Sequence, residues 1–188
     1  MRHEETVFSG FGGQGALFAG QLLAYAGMAE GLYVTWFPSY GPEMRGGTAN
    51  CTVIVSENEI GAPVVRNPSV AVVFNSPSMD KYEPLVKPGG LLLVNSSLIE
   101  RTSAREDIRV VAIPASDVAT ELGNVRMANM VLLGAFVTLT NLVDLEAVKQ
   151  QLNEHLSERQ RKWLEPNYTA LDKGAALVTA PVHAGTRR

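Results

Sequence analysis

The sequence predicts an α/β fold: a doubly wound, Rossmann-like, mostly parallel sheet with an added antiparallel hairpin, forming a single domain over residues 1–188. Three observations predict it. Strand-like apolar runs alternate with helix-like segments along the chain. Two of the runs, Val70-Ala71-Val72-Val73-Phe74 and Leu91-Leu92-Leu93-Val94, are continuously apolar, as parallel strands covered on both faces are. A short strand-like start, Thr6-Val7-Phe8, passes through a glycine-rich turn into a helix-like segment, which is how the first βα unit of such folds opens.

Each element follows from its residues. Residues 16–30 are rich in Ala, Leu and Gly on nearly every face, which predicts a buried helix. Ala19, Gly20, Leu23, Ala26 and Gly27 would let it lie close on a sheet, and Gly31 ends it. Residues 33–37 are the second strand, followed by the loop Pro38-Ser39-Tyr40-Gly41-Pro42-Glu43-Met44-Arg45-Gly46-Gly47. Residues 48–56 form a clear strand and 60–65 another; the short link Glu57-Asn58-Glu59 implies that these two make the antiparallel hairpin. After residues 70–74, residues 79–86 can form a short helix and Lys87-Pro88-Gly89-Gly90 a turn. Strands follow at 91–94 and 108–113, the latter ended by Pro114.

The last third reads as helical. Ser116 or Asp117 could cap a helix through Leu122. Residues 127–141 are the most apolar helix, expected to cover the sheet with part of it free to face a partner, and Asp144 is the N-cap expected for a helix over 145–155. A charged segment starting at Ser157 is expected to stop before Pro166. Asn167 or Thr169 then opens a helix through Leu177, and the tail from about residue 179 is expected to be loose.

Composition excludes several functions. Hydrophobic residues are 46% and charged residues 19%, a globular balance. The net charge of −3 and the lack of a basic stripe argue against nucleic acid as a partner. Cys51 stands alone, too few thiolates for an iron–sulfur cluster, and is expected to be a buried strand residue. His3, His155 and His183 are scattered, not at metal-ligand spacing. The start has no signal-peptide core, and the apolar stretch from Met127 is interrupted by polar residues and short for a membrane span, so a cytoplasmic chain is expected.

Two stretches carry the functional signal. Gly10, Gly12 and Gly15 stand at Gly-x-Gly-x-x-Gly spacing, with Gly13 added. The first glycine would turn the chain, the second would let backbone approach a ligand, and the third would let helix and strand lie close. The helix N-terminus beyond favours a phosphate or carboxylate. A dinucleotide site also wants an acid after the second strand, and Pro38-Ser39-Tyr40 stands there instead, which disfavours NAD. In the second stretch, from Ser39 to Gly47, prolines and glycines would hold an aromatic hydroxyl, an acid and an arginine in fixed positions. Doubly wound sheets bind ligands at the carboxyl ends of their strands, where the glycine turn, this loop, Asn75-Ser76 and Asn95-Ser96 would converge.

Taken together, Gly10-Phe11-Gly12-Gly13-Gln14-Gly15 and Ser39-Tyr40-Gly41-Pro42-Glu43-Met44-Arg45-Gly46-Gly47-Thr48-Ala49 resemble the gamma subunit, or gamma domain, of the 2-oxoacid:ferredoxin oxidoreductases. The similarity continues through Val53-Ile54-Val55-Ser56, Ile60-Gly61, Pro63-Val64-Val65 and the Lys87–Gly90 turn, and thins out after about residue 140. That resemblance implies a complex that oxidatively decarboxylates a 2-oxoacid, with 2-oxoglutarate favoured over pyruvate or a branched-chain oxoacid. Coenzyme A is consumed, acyl-CoA and carbon dioxide are formed, and ferredoxin is reduced. It implies alpha and beta subunits and a ferredoxin-like subunit as partners, which hold the thiamine diphosphate, Mg and iron–sulfur clusters. The sequence agrees with that division: it lacks the Gly-Asp-Gly motif of thiamine enzymes.

The resemblance assigns this chain no catalytic residue, only a share of the coenzyme A site and a surface packed on the thiamine-bearing core. Gly10, Gly12, Gly13, Gln14, Gly15, Arg45, Asn75 and Asn95 are the candidate cofactor-binding residues. Ser39, Tyr40, Glu43, Gly46, Gly47 and Thr48 are the candidates for subunit contact or active-site rim, with Glu43 positioning Arg45. An isolated copy could pair with itself through exposed apolar surface. Two rival readings are a self-sufficient NAD- or FAD-binding oxidoreductase and a non-catalytic interaction module whose glycines serve packing alone.

Overall fold

The computed structural model describes residues 2–39 and 48–179. Six strands form one sheet: β1 (His3–Phe11), β2 (Tyr33–Ser39), β3 (Thr48–Ser56), β4 (Val70–Val73), β5 (Leu91–Asn95) and β6 (Arg109–Ile113), in the spatial order β2-β3-β1-β4-β5-β6. β1, β4, β5 and β6 pair in parallel, while β3 is antiparallel to both β1 and β2. The expected α/β sheet is therefore present, but its antiparallel hairpin is β2–β3, closed by the 40–47 link. That link is shorter than the dozen or so residues a parallel crossover needs.

Residues 60–65, expected as the hairpin's second strand, form no strand. The reason is topological. β3 already has β1 on one side and β2 on the other, so neither of its edges is open to residues 60–65. The chain instead uses residues 57–69 to pass from one side of β1 to the other, held at both ends by Glu57 N–H to Arg2 O (3.0 Å) and Ser69 N–H to Glu5 O (2.9 Å).

The six helices are α1 (Ala16–Ala29), α2 (Ser76–Tyr82), α3 (Ala115–Glu121), α4 (Ala128–Thr140), α5 (Leu145–His155) and α6 (Leu164–Thr179). Side-chain alternation sorts the sheet into two faces. Phe8, Cys51, Val53, Val55, Val72 and Leu93 point into the larger core, against α1 and α3–α6. Val7, Ala71, Val73, Leu92 and Val94 point the other way, into a smaller core closed by Met79 and Tyr82 of α2 with Val86, Ile99 and Ile108. Helices thus cover both faces of β4 and β5, as their unbroken apolar runs imply, but not both faces of the β2–β3 end. There Tyr33 and Phe37 stand 50% and 64% exposed.

Several boundaries differ from the sequence reading, each for a physical reason. α2 begins at Ser76, before residue 79, because the Asn75 side chain accepts the Ser78 N–H (2.9 Å) and caps it. α3 begins at Ala115 behind Pro114, so Ser116 and Asp117 lie inside it and cap nothing. α5 starts after Asp144 as expected, yet the cap is supplied from outside: the Glu30 carboxylate accepts the Asp144 N–H (2.6 Å) while also pairing with Arg2 (2.5 Å). Pro166 lies in the first turn of α6 without ending anything, since an amide there has no partner to lose. α4 is buried without interruption from Ala128 to Val137, leaving none of that stretch free for another protein.

Two close approaches set the core. α1 lies on the sheet through Gly20, where a Cβ would overlap Cys51 Sγ, and Gly27, where one would stand 3.0 Å from Val34 and 3.1 Å from Val55. α4 crosses α6 with backbone against backbone: a Cβ on Gly134 would overlap the Leu171 carbonyl, and one on Gly174 the Val131 carbonyl. Cys51 is buried as expected, and burial pushes its thiol up to about 12 against the opposing pull of the Trp36 indole.

Alanine is the better helix former by about 1 kcal/mol, but at Gly134 or Gly174 it must push two helices apart. Gly134→Ala and Gly174→Ala are each expected to lower stability by about 2–3 kcal/mol in urea titrations; a gain would mean that the crossing is looser than described. Iodoacetamide at pH 8 is expected to leave Cys51 unmodified in the folded chain and to alkylate it fully in denaturant, as read by intact mass. Because the folded thiol keeps its proton where an unfolded one loses it, its contribution to stability fades as pH climbs from about 9 towards about 12.

Candidate functional site

The chain leaves β1 in one direction towards β2 and in the other towards β4, so the strand order reverses beside β1. In open α/β sheets that is where a crevice forms, at the carboxyl ends of the strands. The glycine turn leaves β1 here, and Asn75 and Asn95 stand at the corresponding ends of β4 and β5. Ser39 ends β2, and Thr48 pairs with Phe11, so the two described anchors of the 40–47 loop lie at the same edge of the sheet. Tyr40, Glu43, Arg45, Gly46 and Gly47 lie outside the described residues.

The turn works differently from the generic motif. Gly10 does not turn the chain; it is still strand, paired with Ala49, and a Cβ on it would meet Gln14 Oε1 at 2.8 Å and Phe74 Cβ at 2.9 Å. The turn itself needs Gly13 (φ 94°) and Gly15 (φ 78°), the latter capping α1 in the left-handed region. Gly15's missing side chain makes room not for a strand but for Asn129 of α4, whose Nδ2 donates to Gly15 O (3.3 Å).

Gln14 closes the turn. Its Oε1 accepts Phe11 N–H (2.7 Å) and Asn75 Nδ2 (3.0 Å), tying the end of β1 to the start of α2. Asn95, 1% exposed, does the same one strand further on, donating to Ser116 Oγ (2.9 Å) and Phe74 O (3.4 Å). Both asparagines are thus committed to holding helix starts against strand ends. The backbone amides of Gly12, Gly13 and Gly15 make no hydrogen bond among the described residues and remain available as donors.

In front of these groups lies a cavity of about 230 Å³. Gly13, Gln14, Phe74, Asn95 and Ser116 line it on the sheet side, and Leu98, Val125, Arg126 and Ala128 on the other. Asn75 does not line it but holds Gln14, which does. Sequence reasoning brought Gly13, Gln14 and Asn95 together and missed Arg126. One signal was available: an arginine directly before an apolar helix sits at the wrong end of the helix dipole unless something negative stands nearby. Among the described residues, no three His, Cys, Asp or Glu side chains are grouped to hold a metal ion, and no helix is long and apolar enough to cross a membrane.

Comparison with known proteins adds the following. Residues 5–177 match the family model for pyruvate ferredoxin/flavodoxin oxidoreductase. The ketoisovalerate oxidoreductase subunit VorA of Methanothermobacter marburgensis is 38% identical over 177 residues, covering 93% of this chain but 36% of its own length. The 2-oxoglutarate synthase subunit KorC of Methanocaldococcus jannaschii is 34% identical, with 91% of each chain covered. Among solved structures, the keto/oxoacid ferredoxin oxidoreductase gamma subunit of Geobacter sulfurreducens superposes with a TM-score of 0.81 at 31% identity, covering 94% of this chain and 99% of that one. The 2-oxoglutarate:ferredoxin oxidoreductase of Magnetococcus marinus, solved with 2-oxoglutarate, coenzyme A and succinyl-CoA, gives 0.88 at 27% identity, covering all of this chain and 33% of that one. The chain therefore spans about a third of some relatives and nearly the whole of others.

Because Gln14 satisfies both Phe11 N–H and Asn75, Gln14→Ala is expected to lower stability by about 1–3 kcal/mol, the penalty of donors left without partners. Gln14→Glu keeps an acceptor at that position and is expected to retain most of the stability, both measured by urea unfolding.

Proposed function

This chain belongs to the pyruvate ferredoxin/flavodoxin oxidoreductase family, and we propose that it serves as the gamma subunit of a 2-oxoacid:ferredoxin oxidoreductase complex that does its redox chemistry on other chains. The observation that carries this reading is the end-to-end match with a separate gamma subunit, set beside the match to a third of longer relatives. A unit found both alone and within a longer chain is one that has to pack against the remainder in either case. The bare end of the sheet, with Tyr33 and Phe37 exposed on its helix-free face, is a surface suited to that packing.

In this reading the complex cleaves the carboxylate from a 2-oxoacid as carbon dioxide, transfers the acyl group to coenzyme A and passes two electrons to ferredoxin. The single cysteine of this chain cannot hold a cluster, so the electrons travel elsewhere. This chain contributes one wall of the coenzyme A site. The donor set fits a phosphate-bearing ligand: the free amides of Gly12, Gly13 and Gly15 at the head of α1, and the unpaired Arg126 beside them. Whole coenzyme A is too large for the cavity, so it would be held in part here and in part by the partner chains. Arg45 and the other loop residues, with Ser39 and Thr48 as anchors, remain assigned to the rim of that shared site. For the 2-oxoacid we favour 2-oxoglutarate, because the 2-oxoglutarate synthase subunit matches along its whole length whereas the ketoisovalerate subunit does so along a third.

Capture of the tagged chain from its own cells is expected to bring down large subunits carrying thiamine diphosphate, and the assembly is expected to reduce ferredoxin only when a 2-oxoacid and coenzyme A are both supplied. 2-Oxoglutarate should give the highest kcat/KM among 2-oxoglutarate, 3-methyl-2-oxobutanoate and pyruvate. A chain that emerges alone and turns over with a nicotinamide or flavin would overturn the proposal.

A further inference from the structure

We infer that the cavity between the glycine turn and the head of α4 is the subsite for the nucleoside-phosphate end of the ligand, with Arg126 as the cation that pairs with its phosphate. The inference rests on the coenzyme A reading above and deepens it. It assigns which end of that ligand this chain holds, and with which residue.

Four observations lead there. The first is size. At about 230 Å³ the cavity is smaller than the roughly 300–1,000 Å³ that engulfs a drug-sized ligand, so it receives a fragment. The second is the lining. Phe74, Leu98, Val125 and Ala128 present apolar surface, while the carboxamides of Gln14 and Asn95 and the Ser116 hydroxyl lie among them. Flat heteroaromatic rings with hydrogen-bonding edges suit such a mixture. Leu98 and Val125 are 48% and 54% exposed, apolar side chains that a ring would cover.

The third observation is charge. Most cationic side chains near this end of the molecule are engaged: Arg101 with Asp80 and Glu83, Arg105 with Asp107. Arg126 is exposed, and its guanidinium makes no ion pair or hydrogen bond among the described residues; only its backbone N–H is used, by Asn124 Oδ1 (3.1 Å). The fourth is the direction of the backbone. Arg126 precedes α4, whose dipole disfavours a cation at that end, and a bound phosphate would turn this repulsion into a favourable arrangement with both the guanidinium and the unpaired amides of the glycine turn. Of the two ends of coenzyme A, only the nucleotide carries phosphates and a ring; the pantetheine arm is uncharged and slender. The thiol end is thereby left to point out of this chain, towards the partner subunits where the acyl group is made.

Calorimetric titrations of the full chain, and of its complex with native partners, test this with three probes: coenzyme A, adenosine 3′,5′-bisphosphate and pantetheine. Arg126→Ala is expected to weaken coenzyme A and the bisphosphate about 10-fold, leave pantetheine unchanged and keep the unfolding midpoint, since the side chain holds nothing else. Arg126→Lys should recover part of the loss, and Arg159→Ala, an exposed arginine away from the cavity, should match the wild type. If coenzyme A binds and Arg126→Ala changes nothing, the assignment of Arg126 fails while the coenzyme A reading stands. If pantetheine binds the chain and the bisphosphate does not, the orientation is wrong. If neither chain nor complex binds coenzyme A, the reading beneath the inference fails too.

Discussion

The geometry of the candidate site depends on one carboxamide. Gln14 folds back over Gly10 and accepts from both Phe11 and Asn75, so the end of β1, the turn, the head of α1 and the start of α2 are held as one piece. Gly10 must lack a side chain because the Gln14 oxygen and Phe74 occupy its place. Gly15 must lack one because Asn129 does, which ties α4 to the same piece. The glycines at this turn therefore serve two ends at once. Close packing draws four elements together at the point where the strand order reverses. As a by-product of that packing, the amides of Gly12, Gly13 and Gly15 are left facing outward, unpaired and rigidly spaced. A turn that served packing alone would produce the same glycines, so the motif by itself could not say whether it binds anything.

That ambiguity explains how much of the molecule was legible in the sequence. Continuous apolar runs fixed β4 and β5 because both of their faces are buried, and a strand buried on both faces has only one composition to choose from. β3 was legible for the same reason. Residues 60–65 looked equally strand-like, but strand formation there depended on whether β3 had a free edge, a property of sheet order that no local window contains. Pro166 was read as a stop because a proline inside a helix is one; in the first turn it is not, and which turn it occupied was set by Leu164 packing on the core. Of the site, Gly13, Gln14 and Asn95 were legible from their places after strands. Arg126 was not, because the arginine that stood out sat in a loop with an unusual composition, whereas Arg126 gains its position only once α4 is docked beside the glycine turn.

The unequal covering of the sheet bears on what the chain is for. α1 and α3–α6 crowd one face, and their core is closed by the α4–α6 crossing at Gly134 and Gly174. The opposite face has only α2 and its neighbouring loop, and these stop short of β2 and β3. A sheet built to stand alone would leave less of Tyr33 and Phe37 in water. The same asymmetry suits a unit that occurs both as a separate chain and as a third of a longer one, since the strongly packed face keeps it folded while the sparsely covered face is left for joining.

Electrostatics then decide how such a half-built site can work. A guanidinium and a phosphate at about 4 Å attract by about 1 kcal/mol in bulk water and by about 4 kcal/mol at an effective dielectric of 20. Arg126 is exposed, so on the isolated chain its pairing with a phosphate is closer to the first figure. Covering the cavity mouth, where Leu98 and Val125 are bare, would move it towards the second without adding any contact from this chain. A ligand that reaches across to a second subunit does some of that covering, and the subunit does the rest. The binding strength of the site is then a property of the assembly, which couples occupancy by the ligand to the docking of the chain: whatever tightens one must tighten the other by the same factor.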